Sequence, residues 1–541
     1  MRLTKMTLTG LALFAVLTMP AAAQPLPQEA SAALPDDPAD ATQITLSDCL
    51  RRALEFNLDL AIVKKDPEIA EHNVTFQKAV FDPILGAAYT HSETEARDDF
   101  TDDSTPTLPP VYSNFNSKTD NLNGDVSGFT PIGATYRVGV AWSKFSTDPT
   151  FRFDPNTGIT TLVETENRYH NYFAHFELPL LKGLGRDVNE EALLVARNDL
   201  DISERELLRR AELTVKFAGD AYWDLRAARE ATRVANQALK LAQDLFELNK
   251  KKVEVGTLAP IEITQAEANV ASNVEGTIRA RLAVKNSEDN LRRVMAVPAE
   301  DPLWQATIVP TETPVSEPVT IDQGQAIATA LENRAEIANA REQIDSAKVS
   351  EKAAHNGVRH QLNLTADINL DRSETPSTTS FPVAAPPIPP RNVTSILRQS
   401  PSWAVGLAYV YPIGNRAAKS SYAIAKINTE KSETVLASVS QDVRVEVRTA
   451  ARAVETGYER VVAARKNVEL QTKKLDAEQK KFDNGMSTSF EVFTFQTDLR
   501  NAQLSLIQAL LDYNKALSEL ERSKGTLLES KGLKLADDAG R

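Results

Sequence analysis

The amino-acid sequence predicts an α+β chain that builds one unit twice, each unit a very long coiled-coil helical hairpin joined to a set of β-strands. Three observations carry that reading. Segments recur in the same order along the chain, the longest Pro-free stretches hold apolar residues at steps of four and three, and the stretches between them alternate with a period of two. At 541 residues the chain exceeds what one ordinary core needs. Its formal charge of −13, from 61 Lys and Arg against 74 Asp and Glu, excludes a nucleic-acid wrapper or a polybasic membrane-surface binder, which need clustered cations. With 42% apolar residues the chain is too apolar for wholesale disorder, and after its first two dozen residues it has no apolar run long enough to span a membrane as a helix.

In chain order, residues 1–23 read as an export signal. Arg2 and Lys5 precede an apolar run from Leu8 to Met19, and Ala21-Ala22-Ala23 supplies small residues before Gln24. No Cys follows the cut, so no lipid anchor is expected there. A linker at 24–44 leads to a first repeat, 45–297. Leu50, Ala53, Leu54 and Glu55 return as Ile327, Ala330, Leu331 and Glu332 at an offset of 277. Leu178-Pro179-Leu180 returns as Tyr411-Pro412-Ile413 at 233, and Lys252-Val253-Glu254-Val255-Gly256 as Lys481-Phe482-Asp483-Asn484-Gly485 at 229. The falling offset assigns 44 extra residues to the first copy, between its first landmark and Pro179. A Pro-rich linker at 298–319 separates this copy from the second, 320–528, and a tail occupies 529–541.

Each repeat begins with helices. Strands are then expected at about 83–178 and 360–411, turning at Pro179 and Pro412 into hairpins at 187–297 and 415–528. Leu362, Leu364, Ala366, Ile368 and Leu370 share one face, and Asn363, Thr365, Asp367, Asn369 and Asp371 the other. Tyr136, Val138, Val140 and Trp142, and Trp403, Val405, Leu407 and Tyr409, form further dry faces. Such faces suit lipid on one side and water on the other; a soluble sandwich could use them too, but the rods on either side argue against it. The 44 extra residues read as a hairpin about Thr130-Pro131-Ile132-Gly133, with strands at 83–93, 120–129, 134–146 and 168–178. With the second copy's strands at 360–371 and 402–411 this makes six per chain; the other reading leaves the hairpin as a flap above the membrane. In the rods, Ala211, Val215, Ala218, Tyr222, Leu225, Ala228, Thr232, Ala235, Leu239, Ala242 and Phe246 mark one seam, and Leu436 to Val468 another. Each rod of roughly 68 residues would be about 100 Å long.

A few strands cannot close a barrel, and an open sheet edge in lipid leaves backbone groups unpaired at several kcal/mol each. A chain of this kind must therefore oligomerise if it enters a membrane. Nothing points to catalysis or to a cofactor: the six His are scattered, His170/His175 and His355/His360 miss the i, i+4 spacing of a zinc helix, Cys49 stands alone, and no phosphate-binding or nucleophile motif is found. The acidic pairs Asp98-Asp99 and Asp102-Asp103 read as a solvated loop.

The duplicated Leu50/Ala53-Leu54-Glu55 segment, the Leu178-Pro179-Leu180-Leu181-Lys182-Gly183 turn and the Val253-Glu254-Val255-Gly256-Thr257-Leu258 tip, with their second-copy partners, resemble the TolC-type outer-membrane efflux proteins over nearly the whole mature chain. The resemblance implies a homotrimer, a shared β-barrel of twelve strands in outer-membrane lipid, a periplasmic α-barrel, and docking to a periplasmic adaptor of an inner-membrane pump, with no nucleic acid involved. It implies a gate at the helix tips, with candidates Glu262, Glu491, Asp483 and Thr494; Thr494 stands where the family often has a second acid. Glu262 and Glu491 also suit ordinary first-turn acids of a helix. Adaptor contact is implied at Val255, Gly256, Thr257 and Leu258 and at Asn484, Gly485, Met486 and Ser487. The expected role is a passive exit duct of a tripartite efflux or type I secretion system; the alternative is a periplasmic coiled-coil adaptor or scaffold without a pore.

Overall fold

The computed structural model describes residues 41–100, 111–148, 150–154, 159–163, 166–375 and 396–534. The export signal, Asp102-Asp103 and the Pro-rich stretch 376–391 lie outside them. The N-terminal linker ends in β1 (Thr42–Ile44), and the first copy opens with α1 (Leu46–Phe56), α2 (Leu58–Val63) and α3 (Lys65–Lys78). It continues through β2 (Ile84–Phe100), β3 (Val111–Phe129), β4 (Thr135–Thr147), β5 (Thr150–Asp154), β6 (Ile159–Val163) and β7 (Glu166–Pro179). One helical turn, α4 (Arg186–Asn189), precedes α5 (Glu191–Glu254), which returns as α6 (Ile261–Val294). The linker holds β8 (Ile308–Pro310), and the second copy comprises α7 (Gln323–Asn333), α8 (Ala335–Gly357), β9 (Gln361–Thr375), β10 (Ile396–Val410), α9 (Arg416–Asp483) and α10 (Ser489–Lys524), followed by α11 (Leu527–Ser530).

The repetition holds at both ends of elements. Helix α7 lies 277 residues after α1 at its first and last residue, and α9 ends 229 residues after α5. The expected start of the first rod at Asp187 is corrected: the chain turns at Gly183 and Gly185, both at positive φ, forms α4, and begins α5 at Glu191.

Six strands form one antiparallel sheet in the order β10-β9-β7-β4-β3-β2. The hairpin β3–β4 therefore belongs to the sheet and is not a separate flap. Its turn is closed by the Gly133 N–H on Thr130 O at 2.8 Å and the Ala134 N–H on Thr130 Oγ1 at 2.9 Å. Gly133 is required: at φ +97° a Cβ would stand 2.2 Å from Gly183 O, so the turn is pressed against the β7–α4 connection. Strands β2 and β3 run further than the alternation suggested, and Asp98-Asp99 lie in β2 opposite Ser113 and Tyr112 rather than in a loop. The chain between β4 and β7 forms its own two-stranded ribbon, β5–β6.

Below the sheet the helices stand side by side as a wall. Near the tips the order is α6, α5, α10, α9; nearer the sheet it is α3, α5, α8, α9. The α9 seam obeys a strict four-three step: Val443, Val447, Ala450, Val454, Gly457 and Val461 are buried, and the register resumes at Leu475, Glu478 and Phe482. A repeat of 3.5 residues held this long keeps one face on a neighbour and supercoils the rod to the left. Gly457 lets α10 come close, since a Cβ there would meet Tyr513 Cδ2 at 3.3 Å. The α5 seam is less regular: Ala211, Val215, Ala218, Tyr222, Leu225, Thr232 and Ala242 are buried, but Arg229 replaces Ala228 and Leu245 replaces Phe246.

Arg229 is 1% exposed and lies 3.9 Å from Glu288, which is 0% exposed. Glu288 Oε1 also accepts the Ile308 N–H at 3.2 Å. One carboxylate thus ties both helices of the first hairpin to the parallel β1–β8 ribbon. That ribbon covers the largest apolar cluster, in which Leu50, Ala53, Tyr222, Leu225, Leu291 and Ile308 meet. Cys49 is buried there, its thiol pushed up to about 12 by desolvation, and is free.

Helix α10 ends where α8 begins, so the two continue one another. Gly525 closes α10 at φ +69°, and a Cβ there would stand 3.2 Å from Asn333 C. Arg334 braces the joint, donating to Glu446 at 2.7 Å, to Glu336 at 2.7 and 2.9 Å, and to Ser523 O at 3.3 Å. Arg522 bonds the same Glu446 as well as Glu519. Facing this joint from α5, the Glu212 carboxyl is pushed up to about 7 by burial, although Arg334 pulls the other way.

Candidate functional site in the sheet wall and helix tips

Because paired residues of a sheet share a face, the register sorts every strand at once. One row runs Leu85, Val126, Val138, Ala174, Ile368, Trp403 across all six strands. The parallel row through Tyr136, Phe176, Ala366 and Val405 lies on the same side. Ile368 is 61% and Trp403 79% exposed, so this apolar face has no protein cover among the described residues. It ends upward where His91, Asp120, Lys144 and Arg168 follow on the same side, and downward at Leu362 and Tyr409. From Leu362 to Leu370 the belt spans about 27 Å along the strand before tilt, near the height of an outer-membrane apolar band.

The opposite face is polar and internally bonded. Arg137 grips Asp125 with both nitrogens, at 2.9 and 3.0 Å, His175 Nδ1 lies 2.7 Å from Asp367, and Asn171 donates to Asp371 at 2.6 Å. At the foot of the sheet, past Pro179, Leu180 N–H donates to Leu362 O at 2.7 Å and Gly183 N–H to Asn356 Oδ1 at 2.7 Å. Past Pro412, Asn415 takes a left-handed conformation and its side chain donates to Val358 O at 2.9 Å. Both turns thus clip a strand end to the neighbouring helix end.

The tips are built alike in the two copies. Gly256 donates to Val253 O at 2.9 Å and Thr257 to Lys252 O at 2.8 Å; Gly485 donates to Phe482 O at 3.1 Å and Met486 to Lys481 O at 2.9 Å. This is the glycine-closed helix end, and both glycines have positive φ with nothing near a would-be Cβ, so their requirement is conformational. Val255 and Met486 stand 73% and 71% exposed, and Thr257, Asn484 and Asp483 are exposed as well. Leu258 differs, packing inward beside Leu245, Phe482 and Val492, while Ser487 is half-buried among carboxylates.

Among the described residues, each acid named from the sequence has a partner except Asp483. Glu262 accepts a hydrogen bond from Ser489 of the other tip. Ser487 Oγ lies 2.6 Å from Glu478 and 2.7 Å from Glu491, one hydroxyl proton between two carboxyls. Ser487 and Lys481 hold the Glu478 carboxyl below its ordinary range. Glu491 also donates its N–H to Thr488 Oγ1 at 3.3 Å, the pattern of a helix start, and the Thr494 hydroxyl turns back to Phe490 O at 2.8 Å. The alignment of copies placed Lys252 opposite Lys481 but gave it no role; it clamps the tips by donating to Phe482 O at 2.8 Å with its ammonium 3.9 Å from the Phe482 ring centre. A groove of about 380 Å³ opens beside it, lined by Leu245, Ala266, Phe490 and Phe493 among others. The Thr488-Ser-Phe-Glu491 spacing could have signalled the second tip's helix start; no local signal marks the partners of Lys252 and Ser489, which lie more than 220 residues away.

The family model for outer membrane efflux protein matches residues 186–297 and 326–526, more than half of the chain. The chain belongs to this family. Among solved structures, the Campylobacter jejuni CmeC outer membrane channel is similar at 14% identity and a TM-score of 0.59, covering 91% of this chain and 87% of that one. The Vibrio cholerae outer membrane protein VceC is similar at 15% identity and 0.58, covering 89% and 96%. The open state of the Neisseria gonorrhoeae MtrE outer membrane channel is similar at 14% and 0.56, covering 89% of each chain. No curated protein matches by sequence. As an outer membrane efflux protein the chain works in the outer membrane as an exit duct, its helical part extending into the periplasm, and the reading as a pore-free scaffold is set aside.

Proposed function

We propose that three copies of this efflux protein close one wall around water, and that the wall passes substrates passively from an inner-membrane pump through a periplasmic adaptor to the outside. The observation that carries the reading is a sheet dry on one face, wet on the other and open at both edges, β2 and β10. These edges run in opposite directions, so β10 of one copy can pair with β2 of the next. Six strands per chain would then give eighteen, more than the twelve the resemblance implied. The helical edges support the same closure: Ile62, Ile69 and Phe76 stand exposed along one, and Ile424, Ile427 and Val435 along the other.

Residues 45–297 and 320–528 serve as the two repeats, joined by 298–319. Transport draws its energy from the pump, since this chain's own residues need only shape and line the duct. At the far end, Val255, Gly256 and Thr257 with Asn484, Gly485 and Met486 offer the surface for the adaptor, while Leu258 packs against the second tip and Ser487 braces the second tip itself. Glu262, Glu491 and Asp483 ring the constriction with negative charge, while Glu478 is buried in the seam and Thr494 adds none. Fractionation of expressing cells tests the reading: a heat-modifiable trimer in the outer membrane supports it, and a soluble periplasmic monomer defeats it.

A further inference from the structure

We infer that the foot of the sheet is a binding surface for anionic phospholipid of the periplasmic leaflet, recognised through its headgroup phosphate by Lys182, Arg359, Arg416 and Lys419 around His360. The inference rests on the sheet's lying in the bilayer. At that level the apolar belt ends in Tyr409, and His360 Nδ1 bonds the Tyr409 hydroxyl while its ring stacks on Tyr411 with centres 4.1 Å apart. The backbone segments that carry the four cations are tied together there. Lys182 N–H donates to His360 O at 3.2 Å, Arg359 precedes His360, and Asn415, next to Arg416, donates to Val358 O at 2.9 Å. Lys419 N–H in turn donates to Asn415 O at 3.1 Å.

Charge supplies the second argument. In a chain of net charge −13, all four side chains are exposed and form no ion pair among the described residues, whereas nearby Lys352 and Arg186 find Asp187 and Glu190. The first turn of α9 holds no acid, although cations are disfavoured at a helix start. Four cations carried on adjoining turns thus find no counter-charge among the described residues. Apolar Leu181, Leu184 and Ile413 are exposed in the same turns, Ile413 completely. Cations beside exposed apolar residues at the edge of an apolar belt match a lipid, with phosphate on the one and acyl chain on the other.

Each Lys or Arg near an anionic surface is worth roughly fivefold in binding, so four should enrich anionic lipid by more than about tenfold even when partly screened. The folded oligomer is reconstituted in vesicles of phosphatidylethanolamine with phosphatidylglycerol as the minor component, and the lipids retained on it are counted by native mass spectrometry. Enrichment of phosphatidylglycerol is expected, falling to the bulk ratio in the variant with Lys182, Arg359, Arg416 and Lys419 all replaced by Gln. Should that variant not assemble, R359Q and K419Q alone should each lower the enrichment severalfold. A wild-type oligomer that enters the vesicles and retains both lipids at the bulk ratio overturns this inference alone, as does enrichment unchanged in the variants. Enrichment abolished by millimolar inorganic phosphate would assign the site to free phosphate and also overturn it. A chain that enters no vesicle overturns the membrane reading with it.

Discussion

Placing a charge on the dry face should stop membrane assembly, whereas the same charge one residue away should not. Ile368 sits within the six-strand apolar row, between Ala174 and Trp403, with its side chain 61% exposed. Asn369, the next residue of β9, pairs with Phe173 and Ser402 on the wet face at nearly the same depth. Arg facing lipid near mid-bilayer costs about 2–4 kcal/mol. Three copies in one barrel multiply this to about 6–12 kcal/mol for Ile368→Arg, while Asn369→Arg faces water and should cost under about 1 kcal/mol. The assay is folding from urea into vesicles, followed by the heat-modifiable gel shift of the folded form. Ile368→Arg should leave little folded trimer and Asn369→Arg should match wild type. Equal yields for the two variants, or the reverse order, would refute the assignment of faces.

Glu288→Ala should destabilise the first hairpin by about 3–5 kcal/mol, because it strips a buried charge from Arg229 and an acceptor from Ile308; a chemical-denaturation midpoint that barely moves would contradict this. Glu212 releases its proton near pH 7 in the folded chain but near 4.5 when unfolded, so between these values the folded state binds more protons and stability falls as pH rises. Glu212→Gln should therefore stabilise at about pH 8 by up to about 2 kcal/mol, after allowance for solvent screening, and change little at about pH 4; melting curves with no pH-dependent difference would count against it. The double variant Glu262→Gln, Glu491→Gln should lower cation preference in single-channel recordings, and unchanged selectivity would remove both residues from the gate.

Much of this architecture was legible because it rests on short-range periodicity. The four-three step of Val443 to Val461 and the alternation of Leu362 to Leu370 are written directly in the chain, and the repeat offsets located both tip glycines. The first seam was readable only in part: Arg229 takes a core position because Glu288, 59 residues on, neutralises it, and no window of sequence reports that. The length of β2 escaped because its upper residues, Asp98-Asp99 among them, have loop composition; pairing with β3 carries them as strand. The α4 turn was missed because Asp187 to Glu254 holds no Pro, and the break at Glu190 follows from two glycine turns upstream. At the tips the acids could be named, but the Ser489–Glu262 contact and the Lys252 clamp on Phe482 arise from separate repeats brought together by folding.

Closure of three chains around water is read most plainly from the ionic current through the purified protein in a planar lipid bilayer, together with the mass of the inserted species. Stepwise insertion of a trimer with a steady, ohmic, water-filled conductance is expected. A protein that stays monomeric in detergent and inserts without conducting would contradict it.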